Sequence, residues 1–468
     1  MSRDLIRLSA RQAVALLQAG EVSPLELVEA ALQRIAAVEP AVNALPTLCP
    51  ERARAGAQAL PRDSLLAGLP IAIKDLVEVE GVRTTRGSPI FAAHVSTHSD
   101  ALVKRLEQNG ALVIAKSNTP EFGAGGNTFN EVFGRTLNPW NTALTCGGSS
   151  GGAAVALATG EVWLAQGSDL GGSLRTPASF CSVVGLRPSL GRVAGGPRAD
   201  AFDTLSVEGP MARNVGDLAL MLDAMVGADP ADPLAFAAPA ESFTRSVEEA
   251  RPPKRVAFSP DLGGLMVAAE VKDVCARAAR RFAELGIAVE EAAPDLSDAR
   301  EIFQTLRALK FVVGHEEKLK HQRDKLKPEV IWNIERGLKL GASEIARAIR
   351  ARAALFYRVA DFFRRYELLL CPAAPVPPFP VEERYVSEVD GHKYETYIDW
   401  VAVTFAITLT GSPALALPCG FSADGRPIGL QLVAPPRGEA ALLAAGRLFE
   451  ESAGLAALLP IDPRPPRR

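Results

Sequence analysis

Two glycine-rich runs hold serines with little around them to block a ligand: Cys146-Gly-Gly-Ser-Ser-Gly-Gly152 and Gly167-Ser-Asp-Leu-Gly-Gly-Ser-Leu-Arg-Thr-Pro177. Glycine lacks a Cβ, so a substrate can approach the backbone closely there. Three chemistries use such a segment. A phosphate-binding loop needs Gly-Lys-Ser/Thr so that the lysine reaches the phosphates, and no lysine follows these glycines. Gly147-Gly-Ser-Ser-Gly151 satisfies G-x-S-x-G, the nucleophile elbow, which needs a strand before the serine, a helix after it, and a later acid and histidine. The spacing predicts a small-residue helix over 153–159, but Asn138-Pro-Trp-Asn-Thr-Ala-Leu-Thr145 is polar and turn-like, although His315, His321 and His392 remain candidate bases. The third chemistry is a serine nucleophile activated by a lysine kept neutral in a dry site, because desolvation disfavours the ammonium form. Lys74, at the end of the strand-like Gly68-Leu-Pro-Ile-Ala-Ile-Lys74, is the candidate, and the absence of any S-x-x-K means that it must come from a distant part of the chain.

These residues extend into a larger pattern: Gly68-Leu-Pro-Ile-Ala-Ile-Lys-Asp75, Lys116-Ser-Asn-Thr-Pro-Glu-Phe-Gly123, the double glycine-serine segment to Gly185-Leu-Arg-Pro188, Glu208-Gly-Pro-Met-Ala-Arg213, Gly411-Ser-Pro-Ala-Leu-Ala-Leu-Pro418 and Pro427-Ile-Gly-Leu-Gln-Leu-Val433. In these motifs the chain resembles the amidase signature family of hydrolases. The resemblance implies a Ser–Ser–Lys triad of Lys74, Ser149 and Ser173. Ser173 would attack the carbonyl, Ser149 would relay its proton to neutral Lys74, and water would hydrolyse the acyl-enzyme. It further implies a cis peptide at Gly148–Ser149, an oxyanion hole from the amides of Leu170, Gly171, Gly172 and Ser173, and a substrate border formed by Gly123, Ala124, Gly125 and Gly126. No metal and no cofactor are expected; His315-Glu316-Glu317 does not complete H-E-x-x-H.

The departures from the family pattern are mild. Cys146 stands where proline is common, Ser168 where threonine is common, and Arg187-Pro-Ser where Lys-Pro-Thr is common. Cys146 lies outside the glycine cradle and reads as a buried structural thiol. Asp169 and Arg175 read as a structural pair. Asp75 conflicts with a neutral Lys74 unless it faces the opposite side of its strand, which strand alternation permits.

The triad chemistry covers carboxamides, anilides, some esters and carbamates (urethanes), all of which pass through an oxyanion. The expected partner is a small amide-type substrate. The rival within the family is the glutaminase subunit of a tRNA-dependent amidotransferase, and the rival outside it is a non-catalytic relative kept as a binding protein. Tyr394, Tyr397 and Trp400 are candidates for an aromatic entrance. The residues do not give the oligomeric state; relatives are often dimers, so the resemblance allows a homodimer.

The rest of the chain must position these groups. Its 468 residues are 48% hydrophobic and 22% charged, a globular composition that excludes disorder and fibrous repeats. Lys and Arg number 51 against 54 Asp and Glu, so no basic field holds nucleic acid. Six scattered cysteines without C-x-x-C and a start without an apolar signal stretch suggest a cytoplasmic protein. The uncharged run 401–423 is broken by Gly411, Pro413 and Pro418, which argues against a membrane span.

Ser9/Gln12 and Ser23/Glu26 have capping-box spacing, so two helices open the chain, with Val14, Leu17, Leu25, Val28 and Leu32 on their covered faces. Strand and helix then alternate: a helix over 99–109, a strand over 111–115, a helix over 215–225, strand–helix–strand over 255–291, and strand–strand–helix over 415–450. Residues 300–365 read as helical, and the proline-rich 371–380, excluded from a central strand by its prolines, reads as a loop bordering a cavity. The alternation argues for an α/β protein of one domain, 1–468. The resemblance adds a large mixed central sheet with helices on both faces, a signature core at 65–215, and a variable helical and loop region over about 300–400 beside the substrate entrance.

Overall fold

The computed structural model describes residues 4–58 and 63–466. Both opening helices, Ala10–Ala19 and Pro24–Val42, form with complete capping boxes: each N-cap serine accepts from the N3 backbone while the N3 side chain accepts from the N-cap backbone. Val14, Leu17, Leu27 and Val28 are buried, but Leu25, in the first turn of the second helix, is 42% exposed and does not belong to the covered face.

Eleven strands form one mixed sheet: β1 (Thr47–Leu48), β2 (Pro70–Lys74), β3 (Leu112–Ser117), β4 (Leu164–Asp169), β5 (Val184–Arg187), β6 (Val207–Ala212), β7 (Arg255–Phe258), β8 (Ala288–Glu291), β9 (Leu368–Pro372), β10 (Ala414–Phe421) and β11 (Pro427–Val433), in the order β1-β3-β2-β4-β6-β5-β10-β11-β9-β7-β8. The signature region supplies a parallel β3-β2-β4 block, to which β6, β5, β10, β11 and β9 add by successive antiparallel pairs. Parallel pairs with β7 and β8 close the far edge. Successive side chains of a strand face opposite sides, and every residue of β2, β3, β9 and β11 is buried, so both faces of the sheet are covered.

The proline-rich segment differs from the sequence expectation. Cys371 and Pro372 end β9, a strand inside the sheet, pairing with Gln431 and Leu430 of β11. Pairing with β7 stops at Leu370, so the proline's missing donor falls where no ladder bond is required. The loop that follows packs on the segment before Ser149, where the Thr145 N–H donates to the Phe379 carbonyl at 2.9 Å, and it does not line the cavity described below.

The run 401–423 divides into a helix, Ala402–Thr408, and β10, and among the described residues no helix is long and apolar enough to cross a membrane.

Candidate active site

β2 carries Lys74 at its C-terminal end into the core, where the side chain is fully buried. The side-chain nitrogen meets three hydroxyls: Ser149 Oγ at 2.7 Å, Ser150 Oγ at 2.9 Å and Ser168 Oγ at 3.1 Å. Burial pulls the Lys74 pKa down to about 7, against the opposing pull of Glu208 and Asp169. The neutral amine has two N–H donors and one lone pair. Ser150 Oγ lies 3.3 Å from the Ser168 carbonyl, to which it donates, so toward Lys74 it can only accept. That assignment leaves the lysine lone pair for the proton of Ser149 or Ser168.

Ser150 is a residue that no motif marked for a role. Its hydroxyl holds the lysine and β4 together, accepting also from the Ser168 N–H. Ser150→Ala is expected to lower kcat roughly 10–100-fold with a much smaller effect on KM, as the general base loses its orientation. Steady-state kinetics check this, and an unchanged kcat would show that Ser150 does not orient the base.

Ser149 and Ser173 both line one cavity of about 440 Å³, with Leu170, Gly171 and Gly172 beside them. The Gly148–Ser149 peptide is cis. The Ser150 N–H donates to the Ser173 carbonyl at 3.1 Å, which ties the two glycine runs together. Between Ser117 and Ser149 the backbone forms only the two-residue strands Phe129–Asn130 and Gly134–Arg135, and the helix after Ser149 is Gly151–Thr159, so the strand that a nucleophile elbow requires is missing. Cys146 is fully buried, and burial pushes its thiol up to about 12, consistent with a structural role.

The loop after β4 is pinned from below. Asp169 is fully buried and ion-pairs with Arg175 at 2.9 Å and with Arg187 at 3.3 Å, while its carboxylate also accepts from the Gly172 and Leu174 N–H groups. Burial alone would raise its pKa, but the two guanidiniums win and hold it below the usual carboxylate range. The sign follows: a depressed carboxylate contributes stability above its unfolded pKa and loses it only as pH falls through the folded value, so the pair persists into strong acid. Asp169→Asn is expected to destabilise the fold by about 3–5 kcal/mol, since it leaves two buried cations short of a counter-charge. Denaturant titration measures that loss.

The same pinning corrects one expectation. The Gly171–Gly172 peptide has its carbonyl bonded to Thr404 Oγ1 at 2.6 Å and its N–H bonded to Asp169 at 2.9 Å. A Cβ on Gly172 would lie 2.3 Å from Thr404 Oγ1, and its φ of +126° is glycine's own territory. The Gly172 amide is therefore committed away from the cavity, leaving Leu170, Gly171 and Ser173 as the candidate oxyanion donors.

Gly123, Gly125 and Gly126 line the cavity, whereas Ala124 does not: it is fully buried in a second apolar cluster with Phe311, Leu326, Val330 and Ile334. Its carbonyl accepts from Lys327 Nζ. The aromatic entrance is also relocated. Trp400 is buried against Phe180 and Phe379, and a Cβ on Gly126 would lie 2.3 Å from its ring. The Tyr397 hydroxyl is held by Arg307 and Asn333, and Tyr394 reaches the Met266 carbonyl. The apolar walls are instead Leu76, Phe122, Phe303, Phe311, Ile398 and Val401. Helical periodicity alone did not mark Phe303 or Phe311, because it does not say which covered face meets a cavity.

Asp75 points away from Lys74. It bonds the Thr85 N–H and hydroxyl and sits 3.9 Å from the buried Lys116. The carboxylates that act on Lys74 are Glu208 and Asp169, neither of them adjacent in sequence. Gln166 connects this group, accepting from the Lys74 N–H at 3.0 Å and donating to Glu208 at 2.6 Å. Among the described residues no cluster of metal-ligating side chains is present.

The fold and site together define a hydrolase of carbon–nitrogen bonds in amides. The chain belongs to the amidase family, the amidase signature enzymes, whose sequence profile matches residues 26–443. It is 35% identical over 458 residues to an acylamidase of Rhodococcus erythropolis, covering 96% of each chain. It is 36% identical over 468 residues to a glutamyl-tRNA(Gln) amidotransferase subunit from Thermus thermophilus, covering 94% of this chain and 96% of that one. Among solved structures, a bacterial aryl acylamidase of the amidase signature enzymes superposes with a TM-score of 0.90 at 27% identity, covering 97% and 99% of the two chains. A 6-aminohexanoate cyclic dimer hydrolase complexed with substrate gives 0.89 at 27% identity, covering 98% and 99%.

Proposed function

We propose that this enzyme cleaves acyl amides, anilides above all, through an acyl-enzyme on Ser173, with Ser149 as proton relay and Lys74 as neutral base. The observation that carries this reading is the buried Lys74 amine 2.7 Å from Ser149 Oγ, with Ser149 and Ser173 lining one cavity. As Ser173 Oγ adds to the substrate carbonyl carbon, its proton passes to Ser149 and the Ser149 proton to Lys74. The carbonyl electron pair moves onto oxygen, facing the Leu170, Gly171 and Ser173 amides. Collapse breaks the C–N bond, and the proton returns through Ser149 to the departing nitrogen. Water then repeats the sequence on the Ser173 ester, releasing the acid and restoring the triad.

The aromatic and aliphatic walls favour apolar acyl or aryl groups, and the similarity to acylamidases supports the same preference. The chemistry is concentrated in residues 65–215, while Phe303, Phe311, Ile398 and Val401 of the later region shape the space before it. All six cysteines are free thiols, which supports a reducing, cytoplasmic setting.

Purified protein assayed alone against anilides, carboxamides, esters and carbamates tests the reading. Turnover of anilides without a partner protein is the expected result. Ammonia release from glutamine that appears only with a partner protein would favour the amidotransferase reading instead.

A further inference from the structure

Phe303, Arg307, Phe311 and His315 recur every four residues along the helix Ala299–Gln322 and line one wall of the cavity. Phe303 stands at the reactive end, its ring close enough to Gly171 that a Cβ there would lie 2.9 Å away. Four residues advance a helix by about 6 Å, roughly the length of an aryl ring, so Arg307 lies about that much further along the helix than Phe303.

Arg307 is 3% exposed. Its guanidinium donates to Asn333 Oδ1 and, at 2.7 Å, to the Tyr397 hydroxyl, and it lies 4.7 Å from the Phe311 ring centre. Two of its five donors are thereby used. Among the described residues no carboxylate lies within ion-pair distance of it. That is unusual, because a buried cation is ordinarily matched by a counter-charge. Its neighbours on the same cavity are matched: Arg86 by Glu78 at 2.6 Å, and Lys310 by Asp203. Beyond it, His315 stacks on Phe122 at 4.4 Å, and its Nδ1 has no partner among the described residues. Burial first, and the cations Lys318, Lys310 and Arg86 next, pull the His315 pKa down to about 3, so the ring is a neutral, flat bracket.

The geometry points to Arg307 as a specificity-determining residue that receives an oxygen acceptor, carboxylate or carbonyl, carried on the substrate about one aryl ring from the scissile amide. This rests on the amidase reading and adds a substrate class to it: amides or anilides with a second oxygen-bearing group on the arm along this helix. A planar guanidinium already fixed by Asn333 and Tyr397 presents its remaining donors without further loss of side-chain entropy.

Three probes test the idea, each read by release of its arylamine so that only the acetanilide bond is counted: acetanilide, 4-acetamidobenzamide and 4-acetamidobenzoate share that amide and ring and differ only in the para group. Wild type, Arg307→Met and Arg307→Lys are compared by the ratio of kcat/KM for each substituted probe to that for acetanilide. The expected result is a fall in this ratio of roughly 10–100-fold in Arg307→Met, the scale of one charge-assisted hydrogen bond, carried mainly by KM, with partial recovery in Arg307→Lys. A larger fall for the benzoate assigns the site to carboxylates, and equal falls for benzoate and benzamide assign it to carbonyl oxygen. Ratios that do not change, with all three probes weakened alike, would make Arg307 a structural residue and overturn the proposal. Calorimetric binding of the same probes to Ser173→Ala, with and without Arg307→Met, needs no turnover. An Arg307-dependent affinity there would survive even if the amidase reading failed, and equal affinities would sink the proposal while leaving that reading intact.

Discussion

Ser173→Ala is expected to lower kcat/KM for an anilide by a factor on the order of 10⁴ or more, while leaving the thermal transition within a few degrees of wild type. The reason is chemical: in the proposed mechanism the acyl bond forms on Ser173 Oγ, and alanine leaves no oxygen there to carry it. Ser149, the proposed relay, has its oxygen 2.7 Å from the Lys74 amine, and Cys146 is fully buried with its thiol pushed up to about 12. The structural cost is small because Ser173 is only partly buried and its side chain holds no hydrogen bond among the described residues. A rate measurement with a sensitive arylamine assay decides it. Retention of a tenth or more of the activity would move the nucleophile elsewhere.

The second large effect concerns Lys74. With its pKa drawn down to about 7 by burial, the free amine is the minor form at pH 6 and the major form at pH 8. Activity should therefore rise through a limb centred near pH 7 and level off above it, whereas an unshifted lysine would place that limb beyond pH 10. Lys74→Met keeps the length and apolar stem but removes the base. Its kcat should drop by about 100- to 10,000-fold, and the limb should vanish from the residual rate. The stability sign is linked: the folded protein binds fewer protons than the unfolded chain between the two lysine pKa values, so this group's contribution to stability grows as pH rises across that range. A pH–rate profile with its maximum in acid would contradict the neutral-base assignment.

Much of this candidate site was legible in the sequence: the family resemblance grouped Lys74, Ser149 and Ser173, and the parts of the site are also local signals. A lysine closing an apolar strand and serines among glycines are visible as spacing, and both lie where the fold needs buried or uncovered backbone. The fold was legible for the same kind of reason. Capping boxes at Ser9 and Ser23 and the helix at 215–225 depend on neighbours in the chain, and the structure has them where the spacing puts them.

What the sequence did not show depends on partners far apart in the chain. The Gly172 amide turns from the cavity because Thr404, more than two hundred residues later, holds the adjoining carbonyl. Ala124 faces a cluster built by Val330 and Ile334. Trp400 is drawn under Gly126 and leaves the entrance to Phe303 and Phe311. Pro372 can end a strand inside the sheet because pairing with β7 has already stopped at Leu370, which only the register reveals.

The most direct test of the Ser173 assignment is the intact mass of wild type and Ser173→Ala after exposure to an aryl or alkyl fluorophosphonate. One phosphonyl adduct is expected on wild type, formed faster as pH rises through 7 with the Lys74 amine, and none on the variant. An adduct of equal yield on Ser173→Ala, or no adduct on folded and active wild type, would contradict the assignment of Ser173 as the acylated serine.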